Sequence, residues 1–500
     1  MKILMVYPTF RRGRYVLPLG MAYIAAVLRN KGHRIQVIDA DAYSFNSEQI
    51  KTLLKKLNYD IVATGGLATS YKFVKDLCNE VKKVRPDVKI IAGGHFISPV
   101  PEIVMNSTKI DIGVIGEGEE TALELIEAVE KNQSLHNVAG LIFKDGWTLT
   151  RTKPRELIQD LDTLPFPAVD LFYAEDVYSK YSISSSIFGA RKSLSIFTGR
   201  GCPYQCTFCS YDRRVRIRSN DNILAEIDEL RKRYHIEAFT VMDELFILNK
   251  ERATDFCEKL IKKNWNLRWT ACGRVNLVDK ELLKLLRKAG CIFLSYGIES
   301  GDKSVLKRMK KGITLEQVVD AIRWTKEAGI EPGGSFILGM PGENHATIQN
   351  TVKLYKEINK YRNYACEFFF ATPYPGTALY DEMRSKGRIG DEVSYFEKIS
   401  AAGDAFNFVV NCTDELNDSE LLKIKKDIEK DVYKDFARKH PFLVSFRKIL
   451  ERTGWCYLEK ALVKIKVCGL IGFIHLCMRK TGLLSSEEAI VYQKLLESSK

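Results

Sequence analysis

Short apolar runs alternate with stretches of helical periodicity through the first third of the chain. Lys2–Tyr7 and Arg34–Asp39 are predicted strands, and residues 17–30 between them carry apolar side chains at helical spacing. The alternation predicts further strands at 60–64, 88–92 and 110–115, and helices at 47–57, 70–84, 99–106 and 119–131. Apolar strands that alternate with helices indicate a parallel sheet covered on both faces. The pattern therefore predicts an α/β fold, with a doubly wound, Rossmann-like domain over residues 1–145.

The same alternation resumes near residue 193 with a longer period. It predicts strands at 194–198, 238–242, 268–272, 292–297, 334–338 and 367–371, and helices at 221–234, 250–264, 279–289, 314–328, 344–359 and 376–386. Six such units indicate a partial (β/α)6 barrel of the TIM type, with its active site at the carboxyl ends of the strands. Pro165 and Pro167 mark the irregular stretch before it. We expect a linker at 146–190, the barrel at 191–410 and a small helical region at 411–500.

Three cysteines follow the first predicted barrel strand at the spacing C-x3-C-x2-C, namely Cys202, Cys206 and Cys209. Thiolates are the soft ligands that iron–sulfur clusters require. Three of them can hold three irons of a cubane and leave the fourth iron open to a small molecule. The alternatives are three free thiols on a turn, or a zinc site, for which no second Cys or His pair lies nearby. With twelve cysteines in the chain, a chance triplet at this spacing is the weaker alternative.

Composition narrows the class of protein. Hydrophobic residues make up 45% and charged residues 28% of the chain, as in a globular protein, and no N-terminal signal follows Met1. Scattered cysteines predict no disulfide framework, so a cytoplasmic location with reduced thiols is expected. The net charge is +13, with a basic group at 213–218. Solvated faces and anion contacts near the cysteines explain that group, and charge alone gives no argument for nucleic acid.

Glycine-rich turns follow three strands of the predicted first sheet. Carboxyl edges of such sheets bind ligands, and glycine lets the backbone approach them closely. Ordinary turn chemistry explains any one of these turns, but three along one edge favour a ligand. No G-x-G-x-x-G follows the first strand, so a dinucleotide site has little support. The candidate residues are Gly65, Gly66 and Ser70 after the third strand, Gly93 and Gly94 after the fourth, and Gly116, Glu117 and Gly118 after the fifth.

Polar residues also mark the strand ends of the predicted barrel. Asp243 and Glu244 follow its second strand, and Glu299 ends its fourth. An acidic turn is the ordinary explanation, whereas carboxylates that accept hydrogen bonds could instead hold an ammonium group. Gly334 and Ser335 begin a glycine-rich segment that runs to Glu343. These residues extend the candidate site from the cysteines to neighbouring strands.

The cysteine motif, with Phe208 before its third cysteine, resembles the radical S-adenosylmethionine (SAM) superfamily. The resemblance implies a [4Fe-4S] cluster on Cys202, Cys206 and Cys209, with SAM on the open iron and the Phe208 backbone near its adenine. It further implies that Asp243 and Glu244 hold the SAM amino group. Glu299 would contact the ribose or the amino group, and the segment from Gly334 and Ser335 would lie along the adenine.

The first domain resembles the cobalamin-binding domain of cobalamin-dependent radical SAM enzymes. The shared segments are Pro18-Leu19-Gly20, Lys31-Gly32-His33 and Gly116-Glu117-Gly118-Glu119. Domains that ligate cobalt through histidine carry D-x-H-x-x-G after the first strand, where this chain has residues 8–13 without a histidine. Bound cobalamin would then lack a lower histidine ligand, because His33 and His95 are better explained as polar loop residues. The glycine turns would form the cobalamin site.

The resemblance implies a radical SAM enzyme that methylates an unactivated carbon with the help of cobalamin. Cyclisation, oxidation or rearrangement without methyl transfer is the alternative, as in relatives of anaerobic magnesium-protoporphyrin cyclase. A non-catalytic iron–sulfur protein is the alternative from another class. The expected partners are a small-molecule or lipid-like substrate and a reductant such as flavodoxin or ferredoxin. An apolar run at 467–478 predicts a buried helix, or an interfacial helix in peripheral contact with a membrane.

Overall fold

The computed structural model describes residues 1–9, 16–172, 192–361, 367–403 and 405–439. The expectations for residues 10–13, for part of the linker and for the apolar run at 467–478 lie outside these ranges. Within them, no helix combines the length and the hydrophobicity that crossing a membrane requires.

The first sheet has seven strands in the order β2-β1-β3-β4-β5-β6-β7. Its five predicted strands are present and pair in parallel, and β6 and β7 add an antiparallel hairpin at one edge. The last strand lies within the range predicted as linker. The strands are β1 (Lys2–Tyr7), β2 (Arg34–Asp39), β3 (Ile61–Gly65), β4 (Lys89–Gly93), β5 (Ile112–Val114), β6 (Leu141–Asp145) and β7 (Thr148–Arg151).

Five helices connect and cover this sheet. The four central residues of β1 are buried, as expected for a strand that helices cover on both faces. Asn46 begins α2 with a capping box, in which its side chain and that of Gln49 each accept the other's backbone N–H. The helices are α1 (Leu19–Asn30), α2 (Ser47–Lys56), α3 (Tyr71–Val84), α4 (Pro101–Ser107) and α5 (Glu119–Glu130).

The second sheet has six parallel strands in the order β15-β14-β13-β12-β11-β8. All six were predicted, and the open order confirms a partial barrel. A short antiparallel pair, β9 (Gly199–Arg200) and β10 (Arg216–Ile217), follows its first strand. The six strands are β8 (Ser193–Ile196), β11 (Ala238–Val241), β12 (Arg268–Gly273), β13 (Cys291–Glu299), β14 (Glu331–Leu338) and β15 (Glu367–Phe370).

Aromatic side chains fill the core beneath the second sheet. Trp269 on β12 is fully buried. Its ring stacks on Phe239 and meets Phe246 and Phe256 edge-on, with ring centroids 5.5–5.9 Å apart. The surrounding helices are α6 (Asn220–Tyr234), α7 (Lys250–Lys263), α8 (Lys280–Lys288), α9 (Lys303–Arg308), α10 (Leu315–Glu327), α11 (His345–Ile358), α12 (Ala378–Ser385), α13 (Glu392–Ala402) and α14 (Asp418–Lys439).

The two sheets are packed together through α3 and α13. Tyr71 and Phe396 bring their rings within 5.6 Å of each other. The exposed side chains of Lys75 and Glu397 form an ion pair of 2.9 Å at the same interface. These contacts attach the outer layers of the two sheets. The carboxyl edges meet elsewhere, at the loop that carries the cysteines.

Candidate functional site

The cysteine loop lies between β9 and β10 at the carboxyl edge of the second sheet. The backbone N–H of Cys202 donates to Asp212 O at 2.9 Å, which closes the base of the loop. Gly201 has a φ of +87°, and an added Cβ would stand 2.5 Å from Arg214 O. Only glycine fits this position without strain. The β9–β10 pair therefore fixes the chain direction into the first cysteine.

Cys209 is a half-buried thiol with charged neighbours. Burial raises the pKa of the Cys209 thiol to about 12, and Cys206 adds to the effect while Lys311 opposes it. Within the described residues, no group of three or more His, Cys, Asp or Glu side chains is placed to hold a single metal ion. The donor set fits a cubane, because each thiolate there binds its own iron and an iron–sulfur centre stabilises thiolates.

Glu299 lies beside the cysteine loop and forms a buried ion pair. Lys311 Nζ donates to Glu299 Oε1 at 2.8 Å, and both side chains are nearly inaccessible to solvent. The same Nζ lies 5.7 Å from the centroid of the Phe208 ring. Lys311 therefore lies between Phe208 and Glu299.

Asp243 is used by the protein itself. The Thr198 N–H donates to Asp243 Oδ1 at 2.6 Å, and the Thr198 hydroxyl donates to Asp243 Oδ2. Burial raises the pKa of Asp243 to about 6. Both oxygens of Asp243 accept bonds from the residue before β9, so this side chain holds the loop, and its contact with a ligand amine stays a prediction.

The neighbouring Glu244 remains available. Its Oε2 is buried and has no hydrogen-bond partner. Burial raises the pKa of its carboxyl group. An unsatisfied buried acceptor is costly unless a ligand donor meets it. Of the two adjacent acids, Glu244 is the one with an oxygen free for a donor.

Gly334 and Ser335 lie within β14, three or more residues before its end at Leu338. Gly334 is buried opposite Tyr296 of β13, whereas Ser335 is half-buried. Beyond the strand, Glu343 Oε2 accepts the N–H groups of Gly339 and Met340 at 2.5 and 3.0 Å. Glu343 thus shapes the turn after the strand through Oε2, whereas its Oε1 is buried without a hydrogen-bond partner.

The glycine turns after β3 and β4 touch each other. A Cβ on Gly65 would stand 2.2 Å from Gly93 O, and one on Gly94 would stand 3.0 Å from Gly66 O. Close backbone contact therefore requires glycine here. Thr69 Oγ1 and Ser70 Oγ are buried beside this contact without hydrogen-bond partners. Unpaired hydroxyls next to a glycine edge fit a ligand that presents polar groups.

Glu117 differs from its neighbours Gly116 and Gly118. Its carboxylate accepts hydrogen bonds from Arg200 at 2.8 Å and from Arg216 at 2.8 and 2.9 Å. Although burial opposes ionisation, these bonds keep the pKa of Glu117 below its ordinary value. The side chain of Glu117 therefore joins the first sheet to the cysteine hairpin, and its expected ligand contact stays a prediction.

His95 of the first sheet faces Tyr211, which follows the cysteines. The ring centroids are 6.2 Å apart and the rings meet edge-on. The Tyr211 ring is 43% exposed, and burial of its hydroxyl raises the pKa of the phenol. His33 lies at the opposite end of the sheet, where its Nδ1 is 3.2 Å from the N-terminal nitrogen. The glycine edge and the cysteine loop thus share a boundary.

Comparison with known proteins agrees with this geometry. The family models "Radical SAM superfamily" and "B12 binding domain" match residues 196–355 and 9–126. The chain is 33% identical over 392 residues to an uncharacterized methyltransferase of Pyrococcus horikoshii, covering 76% of this chain and 83% of that protein. This chain belongs to the radical SAM superfamily and carries a B12-binding domain. It is a radical SAM enzyme whose cofactors are a [4Fe-4S] cluster, SAM and cobalamin.

Two further relatives are informative. This radical SAM enzyme is 29% identical over 442 residues to the anaerobic magnesium-protoporphyrin IX monomethyl ester cyclase of Rubrivivax gelatinosus, covering 84% of this chain and 75% of that one. Its fold is similar to the cobalamin-dependent SAM radical enzyme OxsB, with a TM-score of 0.67, 18% identity and coverage of 100% and 75% of the two chains. The predicted family, fold class and cofactors are confirmed. The domain boundaries and individual cofactor contacts stay predictions.

Sequence reasoning missed three residues that lie beside the cysteine loop. Lys311 lies twelve residues after the end of β13, in a helical connection, and Tyr211 lies two residues after Cys209. Arg274 follows β12, stacks on Tyr204 with its guanidinium 3.6 Å from the ring centroid, and has unpaired buried Nε and Nη2 atoms. The strand end before Arg274 was the available signal, because barrel strand ends carry functional residues.

Proposed function

We propose that this radical SAM enzyme is a cobalamin-dependent methyltransferase that acts on an unactivated carbon of a small-molecule substrate. The observation that carries the proposal is the shared boundary between the cysteine loop and the glycine edge, marked by His95 and Tyr211. A methyl carrier and a radical source must both reach one substrate carbon. Two edges that face each other support that requirement.

Cys202, Cys206 and Cys209 would hold the cluster. When bound, the cluster supplies one-electron reduction of SAM, which the chain alone cannot provide. The chain's contribution is placement: Gly201 permits the turn, and Thr198, held by Asp243, fixes the preceding residue. Three protein ligands leave one iron for SAM.

We assign the SAM contacts to polar side chains beside the cysteine loop. Glu244 would accept a hydrogen bond from the SAM ammonium, because its Oε2 lacks any other donor. Glu299 and Lys311 form a paired acid and base beside Phe208, suited to ribose hydroxyls or the amino-acid group. The adenine would lie along the Phe208 backbone and along β14 near Gly334 and Ser335.

Cobalamin would occupy the carboxyl edge of the first sheet. The Thr69 and Ser70 hydroxyls offer unpaired hydrogen-bonding groups to it. Glycine keeps the approach open: Gly116 has no atom within 4 Å of an added Cβ. The glycines proposed to line this site are Gly65, Gly66, Gly93, Gly94, Gly116 and Gly118.

The net reaction balances with two molecules of SAM. One is reduced and cleaved to methionine and 5′-deoxyadenosine, which takes its new hydrogen from the substrate carbon. The other gives its methyl group to that carbon and leaves as S-adenosylhomocysteine. Two electrons from an external one-electron reductant, such as flavodoxin or ferredoxin, complete the balance.

Methyl-labelled SAM tests the proposal. Anaerobically reconstituted protein is incubated with deuterated-methyl SAM, a low-potential reductant and a small-molecule extract of the source cells. We expect a product that carries the labelled methyl group, together with 5′-deoxyadenosine and S-adenosylhomocysteine. An unlabelled product without S-adenosylhomocysteine would overturn methylation. Absence of bound corrinoid after reconstitution would remove the role proposed for the first sheet.

Cyclisation or oxidation is the second candidate. The similarity to the Rubrivivax cyclase over most of both chains supports it. The same experiment separates the candidates, because a cyclase yields 5′-deoxyadenosine and an oxidised, unlabelled product. We also propose a cytoplasmic location, where thiols stay reduced. A lipid-like substrate, reached by peripheral membrane contact through residues 411–500, is the corresponding proposal for substrate access.

A further inference from the structure

The hairpin that frames the cysteine loop is anchored to acids of the first sheet. Arg200 donates to Glu117 at 2.8 Å through one nitrogen and to Glu119 at 2.5 Å through the other. Arg216, on the paired strand, donates to both oxygens of Glu117. We call Glu117, Glu119, Arg200 and Arg216 the interdomain lock. All four side chains are at least 79% buried, with exposures of 13, 5, 21 and 7%.

The lock also holds the linker between the sheets. Glu117 Oε2 accepts the backbone N–H of Ile158 at 2.9 Å, and Arg216 donates to Ile158 O at 2.8 Å. Glu117 therefore joins three separate parts of the chain: its own turn after β5, the linker and the cysteine hairpin. A pair that merely stabilised one element would not need contacts to all three.

The lock is joined covalently to both cofactor edges. Glu117 lies between Gly116 and Gly118 of the first edge. Arg200 lies two residues before Cys202, and the backbone of Arg216 pairs with that of Arg200 in β9–β10. The hydrogen bonds of the Glu117 carboxylate therefore connect the glycine edge to the cysteine loop.

A second interdomain ion pair gives a comparison. Lys75 and Glu397 join α3 to α13, but their side chains are 31% and 47% exposed. Exposed pairs contribute little, whereas removing one partner of a buried pair leaves an uncompensated charge. The lock therefore constrains the interface far more strongly than the outer pair does.

We propose that the interdomain lock is a positioning device that fixes the distance between the cobalamin-binding edge and the cysteine loop. Its residues act through the backbone, as positioning residues. The proposal rests on the proposed function for the identity of the two cofactors. Its mechanical part, the coupling of Glu117 to the linker and the hairpin, stands on the contacts alone.

Hydrogen exchange of the cofactor-free full chain tests the mechanical part. Glu117→Gln keeps the shape but removes the charge that both arginines meet. We expect exchange roughly tenfold faster in peptides that contain Ile158 and Cys202, because their amides lose a fixed framework. Glu397→Gln, the matched change at the exposed pair, should leave these peptides unchanged. Equal exchange in the two variants would overturn the lock.

Electron paramagnetic resonance of the reconstituted protein tests the distance. The reduced cluster and cob(II)alamin each carry an unpaired electron, so their magnetic interaction reports their separation. We expect this interaction to change in Glu117→Gln at equal iron and corrinoid content, and to stay unchanged in Glu397→Gln. An unchanged interaction in Glu117→Gln would overturn the positioning role.

A milder variant provides the test if Glu117→Gln does not fold. Arg200→Lys keeps the charge but lacks the fork that bridges Glu117 and Glu119, so we expect a smaller change of the same sign in both measurements. Exchange and magnetic interaction like those of the wild type would overturn the lock. If the wild type binds no corrinoid, the proposed function fails, and hydrogen exchange still decides the lock.

Discussion

Acidic residues at strand ends divide into those that bind the protein and those that are left for a ligand. Asp243 is occupied by Thr198 and Glu117 by two arginines, whereas Glu244 keeps a buried, unpaired oxygen. Their place at strand ends followed from the sequence pattern. Their partners did not, because Thr198 and Arg216 reach them only through tertiary packing. A buried carboxylate must find a donor, and the nearest one decides its role.

The buried carboxyl group of Glu343 should make the free energy of unfolding depend on pH. Burial raises its pKa to about 7 from an ordinary value of 4.5, against the opposing N–H groups of Met340 and Gly339. The folded state therefore holds this proton more tightly than the unfolded chain. Its contribution is complete below the unfolded pKa and is lost as the pH rises towards 7, by about 3 kcal/mol.

Glu343→Gln should remove this dependence, because its amide cannot ionise. We expect urea unfolding to show the free energy of the wild type falling, relative to the variant, between about pH 4.5 and pH 8. Glu281→Gln, on the exposed face of α8, controls for the loss of one negative charge. A constant difference between the wild type and Glu343→Gln across this range would contradict the assignment.

At the scale of elements, the β9–β10 hairpin depends on one glycine. Gly201→Ala puts a Cβ 2.5 Å from Arg214 O in a left-handed conformation that costs about 1–2 kcal/mol in itself. We expect several-fold less iron bound after reconstitution, measured by iron analysis and absorbance. Gly387→Ala is the matched control, with a φ of +68° and no atom within 4 Å of the added Cβ. Iron retention equal to that of the control would refute the steric argument.

Truncation of the buried Trp269 on the central strand β12 should lower the stability of the protein strongly. Trp269→Ala empties the middle of the aromatic core and removes the bond from its Nε1 to Ala289 O at 2.8 Å. We expect unfolding free energy to fall by roughly 3–5 kcal/mol. Trp147, fully exposed on the β6–β7 hairpin, is the control, and its alanine variant should change stability by about 0.5 kcal/mol or less. Denaturant unfolding of both variants measures the difference.

Sequence periodicity found the parallel strands but missed the short antiparallel ones. Apolar strands such as β1 have a strong pattern, since helices cover both faces. The β9–β10 pair is only two residues long on each side, and its second strand falls within the basic group at 213–218. That group was interpreted as solvated, yet Arg216 and Arg218 are buried in ion pairs. Charge alone cannot reveal such pairing, because the acids come from distant segments.

At the scale of the molecule, we expect the cysteine loop and the glycine edge to bind the cluster and the corrinoid independently. Cys206→Ala should abolish cluster binding and 5′-deoxyadenosine formation, while corrinoid binding stays near that of the wild type, because the glycine edge contains none of the three cysteines. Absorption spectra and product analysis after reconstitution measure both. Cys78→Ala removes a thiol from the core of the first sheet and should keep the cluster. Loss of corrinoid in Cys206→Ala alone would show that the sites are not independent.

The buried pairing of Glu117 and Glu119 with Arg200 and Arg216 sets a limit on how this chain can be recombined. If the first domain were replaced by a related domain that lacks both acids, the guanidinium groups of Arg200 and Arg216 would face a surface that offers them no partner. The chimeric protein would then be destabilised at the interface between the domains, even if each domain were stable. Transplanting the acids, the arginines and the Ile158 segment as a set is the smallest change that keeps the halves compatible.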